Sequence, residues 1–155
     1  MYSISEKRLS REIFEIIKDY KNISIIQNDN KYILKINVKN RFITIELDHK
    51  YPFKQPNVII GTTPYHSMLC ISDTFIINRL NSIYKIDCLC CKSIICPNNW
   101  KPVKNIVNIL DEIKINISIV QSLLYMKYTY MICKSYNIFC EEIPELICKN
   151  FIVYN

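Results

Sequence analysis

The chain has 155 residues, half of them apolar and 22% charged. That is enough apolar material for a substantial core, and it predicts a single domain. The formal charge of +6 comes from 20 basic and 14 acidic residues interleaved from Lys7 to Lys149, the pattern of a solubilising surface, and no basic helical face or aromatic signature points to nucleic acid. Usage rich in Ile, Asn, Lys and Tyr with a single Gly fits an AT-rich genome such as that of a large DNA virus or a parasite, and says nothing about activity.

The N-terminus, Met1-Tyr-Ser-Ile-Ser-Glu-Lys-Arg, turns charged at once and lacks an apolar signal region. The longest apolar segment, Ile106 to Met126, is interrupted by Asp111, Glu112 and Lys114, which argues against a membrane span. The expectation is a soluble intracellular protein, cytoplasmic or nuclear (in the host cell if viral), whose cysteines are reduced thiols.

Ser3 with Glu6 forms a capping-box pattern. Leu9, Ile13, Ile16, Ile17 and Tyr20 recur at three- and four-residue spacing, predicting an amphipathic helix over about residues 4–20 with Lys7, Arg8 and Arg11 on its outer side. Three strand-like runs follow, Ile23 to Gln27, Tyr32 to Val38 and Phe42 to Leu47, separated by Asn28-Asp29-Asn30 and Lys39-Asn40. Near-alternation in the second and third suits an antiparallel meander with one packed face. Tyr51-Pro52-Phe53-Lys54-Gln55-Pro56 interrupts pairing, because a proline cannot donate a ladder hydrogen bond; Asn57 to Thr62 resumes as a fourth strand. From Pro64 to Ile86 the period weakens. This stretch reads as an insertion or flap, with Phe75, Ile76 and Ile77 as a short strand.

After Pro102 the period returns: Val103, Ile106, Val107, Leu110, Ile113, Ile117, Val120 and Leu124 mark one stripe of a long helix running toward Lys134. A final amphipathic piece spans Ile143 to Val153. The fold class is α+β: an N-terminal helix, a four-stranded antiparallel meander, a loop, a long helix and a C-terminal helical segment.

Between strands and long helix lies Asp87 to Val103, DCLCCKSIICPNNWKPV, which sets four of the eight cysteines beside the only tryptophan. A thiol is a strong nucleophile whose thioester stays reactive toward amines, so a loop cysteine can carry an acyl group. Four thiolates can also make a tetrahedral zinc site. Cys88, Cys90, Cys91 and Cys96 are the ligands to weigh, with Cys70 and His66 as outside ligands. Their spacing is not the paired C-x-x-C of common zinc modules, adjacent Cys90 and Cys91 are expected to point apart, and plain buried thiols are the competing reading. Cys133, Cys140 and Cys148 read as ordinary helical residues.

The order Glu6-Lys7-Arg8-Leu9-Ser10-Arg11-Glu12-Ile13, Phe42-Ile43-Thr44-Ile45-Glu46-Leu47, Tyr51-Pro52-Phe53-Lys54-Gln55-Pro56-Asn57-Val58, Cys88-Leu89 and Trp100-Lys101-Pro102-Val103 resembles the ubiquitin-conjugating enzyme family. The match is good over about residues 4–63 and 86–113; the core would end near 113, with 114–155 a divergent helical part. The resemblance implies a protein that accepts ubiquitin or a ubiquitin-like modifier from its activating enzyme as a thioester and passes it to a substrate lysine or a ligase cysteine. Aligned on Ile86-Asp87-Cys88-Leu89, where Leu89 matches the family's following residue, the favoured acceptor is Cys88; Cys91, closer to the family's usual distance from Trp100, is the alternative. Phe53, Pro102 and Val103 correspond to the family's ligase-contacting loops, and Lys7, Arg8 and Arg11 to its face for the activating enzyme.

The family's oxyanion donor, an asparagine in a His-Pro-Asn triplet, has no match in Tyr65-His66-Ser67-Met68. Asn78, Asn81, Asn98, Asn99 and His66 are the substitutes available. Three readings stay open: an active conjugating enzyme, a catalytically inactive binding module of the same fold, and a zinc-stabilised structural or interaction protein.

Overall fold

The structure, a computed structural model, describes residues 4–28, 31–38 and 41–136. Ser3 of the expected capping box, the turn residues 29–30 and 39–40, Cys140, Cys148 and the expected piece from Ile143 to Val153 lie outside them. In chain order the elements are α1 (Ile4–Asp19), β1 (Ile23–Asn28), β2 (Lys31–Val38), β3 (Arg41–Asp48), β4 (Asn57–Ile60), β5 (Thr63–Pro64), α2 (Tyr65–Leu69), α3 (Thr74–Tyr84), α4 (Leu89–Lys92) and α5 (Ile106–Ser135). The architecture is α+β, an N-terminal helix with an antiparallel sheet and a long helix. The sheet has five strands in the order β1-β2-β3-β4-β5, one more than the sequence led us to expect. The chain divides into two compact units, residues 1–70 with 90–112 and residues 71–89 with 113–155.

The sheet of the first unit follows from period-two patterning. Leu34 and Ile36 of β2, Ile43, Ile45 and Leu47 of β3, and Val58 and Ile60 of β4 are buried. The register places Leu34 opposite Ile45 and Ile45 opposite Val58, then Ile36 opposite Ile43 and Ile43 opposite Ile60. Two unbroken rows of apolar residues therefore cross three strands on one face, and a one-residue slip would turn both rows to the other face. The expected fourth strand breaks at Gly61. Its φ of +62° suits a residue without Cβ, and its N–H donates to Phe42 O at 2.8 Å; the chain reverses there into β5.

In α1, Leu9, Glu12 and Ile16 are buried while Ile17, expected in the apolar stripe, is exposed. Tyr51 to Pro56 forms the turn between β3 and β4, with a cis Tyr51-Pro52 bond. Asp48 at the end of β3 holds that turn: its carboxylate accepts from Lys50 N and from Lys54 Nζ, each at 2.7 Å. The hydrogen bond from Lys54 holds the Asp48 carboxyl below its ordinary range, against a smaller opposing effect of burial.

In the second unit the strand expected at Phe75-Ile76-Ile77 is helix α3. Asp73 caps it, its side chain accepting from Ile76 N at 3.1 Å, and Ile76 and Leu80, one turn apart, are its buried residues. Lys85 ends it in the left-handed conformation, φ 56°, donating its N–H to Asn81 O. Phe75 stacks on Tyr130 of α5 with ring centroids 5.1 Å apart, and Lys127 of α5 pairs with Asp73 at 2.5 Å. That bond, first of the causes, lowers the Asp73 pKa. Among the described residues no helix is long and apolar enough to cross a membrane. Among the described cysteines Cys70, Cys88, Cys90, Cys91 and Cys96 are free, and Cys133 on α5, which is disulfide-bonded, is the exception to the expected reduced thiols.

Candidate active site

Two carboxylates and one indole fix the cysteine-bearing loop of the first unit. Glu12 of α1 is buried and accepts three hydrogen bonds: from Arg8 Nε at 2.6 Å, Tyr51 OH at 2.5 Å and the backbone N–H of Ile106 at 3.0 Å. The last of these satisfies an otherwise orphan donor at the start of α5. Arg8 spans the same junction, donating from Nη2 to Lys104 O at 2.6 Å, with its guanidinium 5.6 Å from the Tyr51 ring centre. Arg8 is thus half-buried and engaged, not part of the outer face to which the sequence assigned it; Lys7 and Arg11 are exposed. Burial, then the Glu12 hydrogen bond and charge, push the Tyr51 hydroxyl far up. For Arg8, burial works against the charge, and the bond and charge of Glu12 outweigh it, so its pKa is raised.

Glu112 is the second clamp. It accepts from Ser93 Oγ at 2.5 Å and Tyr65 OH at 3.2 Å through Oε1, and from Ile94 N at 2.7 Å through Oε2. These bonds join α2 and the segment after α4 to α5. From there the chain makes two turns, with Cys96 N donating to Ser93 O and the N–H groups of Asn99 and Trp100 donating to Cys96 O. Trp100 donates its Nε1–H to Pro52 O at 2.8 Å and lies 6.1 Å from the Tyr51 ring. The only tryptophan therefore ties the cysteine loop to the proline loop, as a polar-tipped aromatic at a buried junction does.

The site residues expected from sequence divide clearly. Cys91 is exposed at the surface of α4, and Cys90 beside it is half-buried. Cys88, first choice from sequence, is half-buried and belongs to the second unit. Asn99 donates both amide hydrogens to the loop, to Cys91 O at 2.7 Å and Ser93 O at 3.0 Å; it holds the loop's shape and has no amide hydrogen left for an oxyanion. Asn98 is exposed on the same loop. Asn78 and Asn81 lie on α3 in the second unit, and Asn81 donates to Asp87. Phe53 and Val103 are 82% and 78% exposed, and Pro102 is exposed as well.

The cysteine-rich segment also offers side chains that can hold a metal ion. Cys90 and Cys91 bring their sulfurs to 3.9 Å, against the expectation that adjacent residues point apart. His66 and Cys70 are 3.7 Å apart, Nδ1 to Sγ, and the ligand atoms of His66, Cys70 and Cys90 all lie within 4.8 Å of one another. Cys96, counted with the zinc ligands from its spacing, is not in any such group among the described residues. Sequence reasoning missed the roles of Glu12 and Glu112; an acidic residue in the middle of an apolar helical stripe was the available signal. Compared with protein-family models, curated proteins and solved structures, the chain matches none.

Proposed function

We propose that the chain carries ubiquitin or a ubiquitin-like modifier as a thioester on a loop cysteine and passes it on, and that the acceptor is Cys91. The observation that supports this best is an exposed Cys91 on a loop whose backbone is clamped from three sides, by Asn99, by Glu112 through Ser93 and Ile94, and by Trp100 on Pro52. A thioester carrier needs a reachable sulfur on a backbone that does not yield when a large acyl group is attached. Cys91 has both properties, and on that ground Cys91, the alternative from sequence, is preferred to Cys88.

In charging, the Cys91 thiolate attacks the thioester carbonyl on the activating enzyme; a new S–C bond forms and that enzyme's thiolate leaves. In discharge, a lysine amine or a ligase thiolate attacks the same carbonyl, Cys91 leaves as thiolate, and in the amine case the amine's proton passes to solvent. With Asn99 committed to the loop, the oxyanion of an amine attack loses one of its candidate donors there. Transfer to a ligase cysteine, where the nucleophile is already anionic, is the step this loop suits better. Exposed Phe53, Pro102 and Val103 supply an apolar surface for that ligase, and exposed Lys7 and Arg11 a basic one for the activating enzyme.

The test is the full chain with activating enzyme, ATP and ubiquitin on a non-reducing gel. A thiol-sensitive band larger by one ubiquitin, retained by Cys88→Ala and lost in Cys91→Ala, supports the reading; the converse pattern moves the acceptor back to Cys88. If neither ubiquitin nor its relatives charge the wild-type chain, the enzyme reading falls and the binding-module reading replaces it.

A further inference from the structure

The geometry points to a binding site for a thiophilic divalent ion of the zinc class, held by His66 through Nδ1, Cys70 and Cys90. This site does not rest on the thioester reading, because none of its three ligands is the proposed acceptor. All three are among the ligands weighed from sequence, Cys90 within the cluster and Cys70 and His66 as outside ligands: two come from α2 and its C-cap, one from α4, and Cys96 is left out.

His66 and Cys70 are four residues apart across a helical turn, which puts them on one side of α2. Their Nδ1···Sγ distance is 3.7 Å. Two ligands of a tetrahedral zinc, with Zn–N near 2.05 Å and Zn–S near 2.3 Å, stand about 3.6 Å apart, so this pair is already at bite distance. Cys90 completes a triangle whose ligand atoms are all within 4.8 Å; small rotamer changes close the remaining gap. The neighbouring Cys91 sulfur is 3.9 Å from that of Cys90, against about 3.8 Å for two thiolates on one zinc. The fourth coordination place thus falls to water or to Cys91.

Donor type selects the ion. One imidazole and two thiolates disfavour magnesium and calcium, which take oxygen ligands, and favour zinc or its spectroscopic substitute cobalt. Binding releases the two thiol protons to solvent, and two thiolates balance the charge of the ion. His66 and Cys70 are exposed and Cys90 half-buried, which gives the ion an entry path.

The full chain, stripped of metal with a chelator under a non-thiol reductant, is titrated with cobalt and then zinc. Thiolate-to-cobalt charge-transfer bands with tetrahedral d–d absorption, bleached by zinc, are expected. His66→Asn, Cys70→Ser and Cys90→Ser should each weaken binding at least about tenfold, while Cys96→Ser leaves it unchanged. An alkylation footprint of the wild-type chain needs no variant: zinc should protect Cys70 and Cys90 and leave Cys96 as reactive as before. Protection of Cys91 as well supports the site with Cys91 as fourth ligand, in which case zinc also blocks charging. Absence of the cobalt bands, or protection that spares Cys70, overturns the proposal even where the charging assay succeeds.

Discussion

Glu12 shows how much one side chain decides. Its three donors come from its own helix, from the proline loop and from the first turn of α5, so its removal leaves a buried tyrosine hydroxyl and a buried backbone N–H without an acceptor and a half-buried guanidinium without its counter-charge. Each such orphan costs about 1–3 kcal/mol. Allowing for relaxation and water entry, Glu12→Ala should lose about 2–4 kcal/mol in a urea titration, and Tyr51→Phe about 1 kcal/mol. Glu15→Ala, one turn on but exposed, should stay within about 0.5 kcal/mol of wild type. Equal midpoints for Glu12→Ala and Glu15→Ala would contradict the role given to this carboxylate.

Among the elements, the loop from α4 to Trp100 and the turn after β3 each depend on a side chain that replaces missing backbone pairing. Asn99→Ala removes both bonds to the carbonyls of Cys91 and Ser93, and Glu112→Ala releases Ser93, Ile94 and Tyr65. Both should raise the alkylation rate of Cys91 several-fold at unchanged Cys70 rate, a pattern readable by mass spectrometry; a uniform rise at every cysteine would instead mean general unfolding. At the β3–β4 turn the folded Asp48 carboxyl lies below its unfolded value. Its contribution is therefore complete above about pH 4 and vanishes as pH falls through the lowered folded value. Since Lys54 is largely exposed, the pair is worth under about 1 kcal/mol. The gap between wild type and Asp48→Asn should accordingly be open at pH 7 and closed near pH 2, and a gap that widens on acidification would refute the assignment.

These same elements mark where sequence was informative. Leu34, Ile36, Ile43 and Ile45 announce their face because a strand's period is short and one side is dry. Phe75-Ile76-Ile77 reads as a strand because three apolar residues in a row carry no period, and only the Asp73 cap with Leu80 one turn on reveals a helix. The apolar period of α1 puts Arg8 on its outer side, although the partner that turns it inward, Glu12, stands four residues away. The meeting of α2's His66 and Cys70 with α4's Cys90 is a product of tertiary folding, which spacing along the chain does not encode.

At the scale of the whole molecule the proposed carrier must meet two proteins in succession, an activating enzyme and a ligase, and the surfaces assigned to them have opposite physical character. Lys7 and Arg11 are exposed bases on α1, so their contribution is long-range attraction that accelerates encounter and fades with salt. Phe53 and Val103 are exposed apolar groups, whose contribution is short-range burial and insensitive to salt. The two steps should therefore separate in one experiment. Lys7→Glu with Arg11→Glu should slow charging at low salt by about tenfold or more, with the deficit shrinking as ionic strength rises, and leave discharge to a ligase cysteine unaltered. Phe53→Ala with Val103→Ala should charge at the wild-type rate and discharge to the ligase at least about tenfold more slowly, at any salt. All four positions are exposed, so melting temperatures should barely move. A double alanine variant that loses charging and discharge together, at an unchanged melting temperature, would show that the apolar patch does not serve the ligase alone and would remove the division of labour on which this ordering depends.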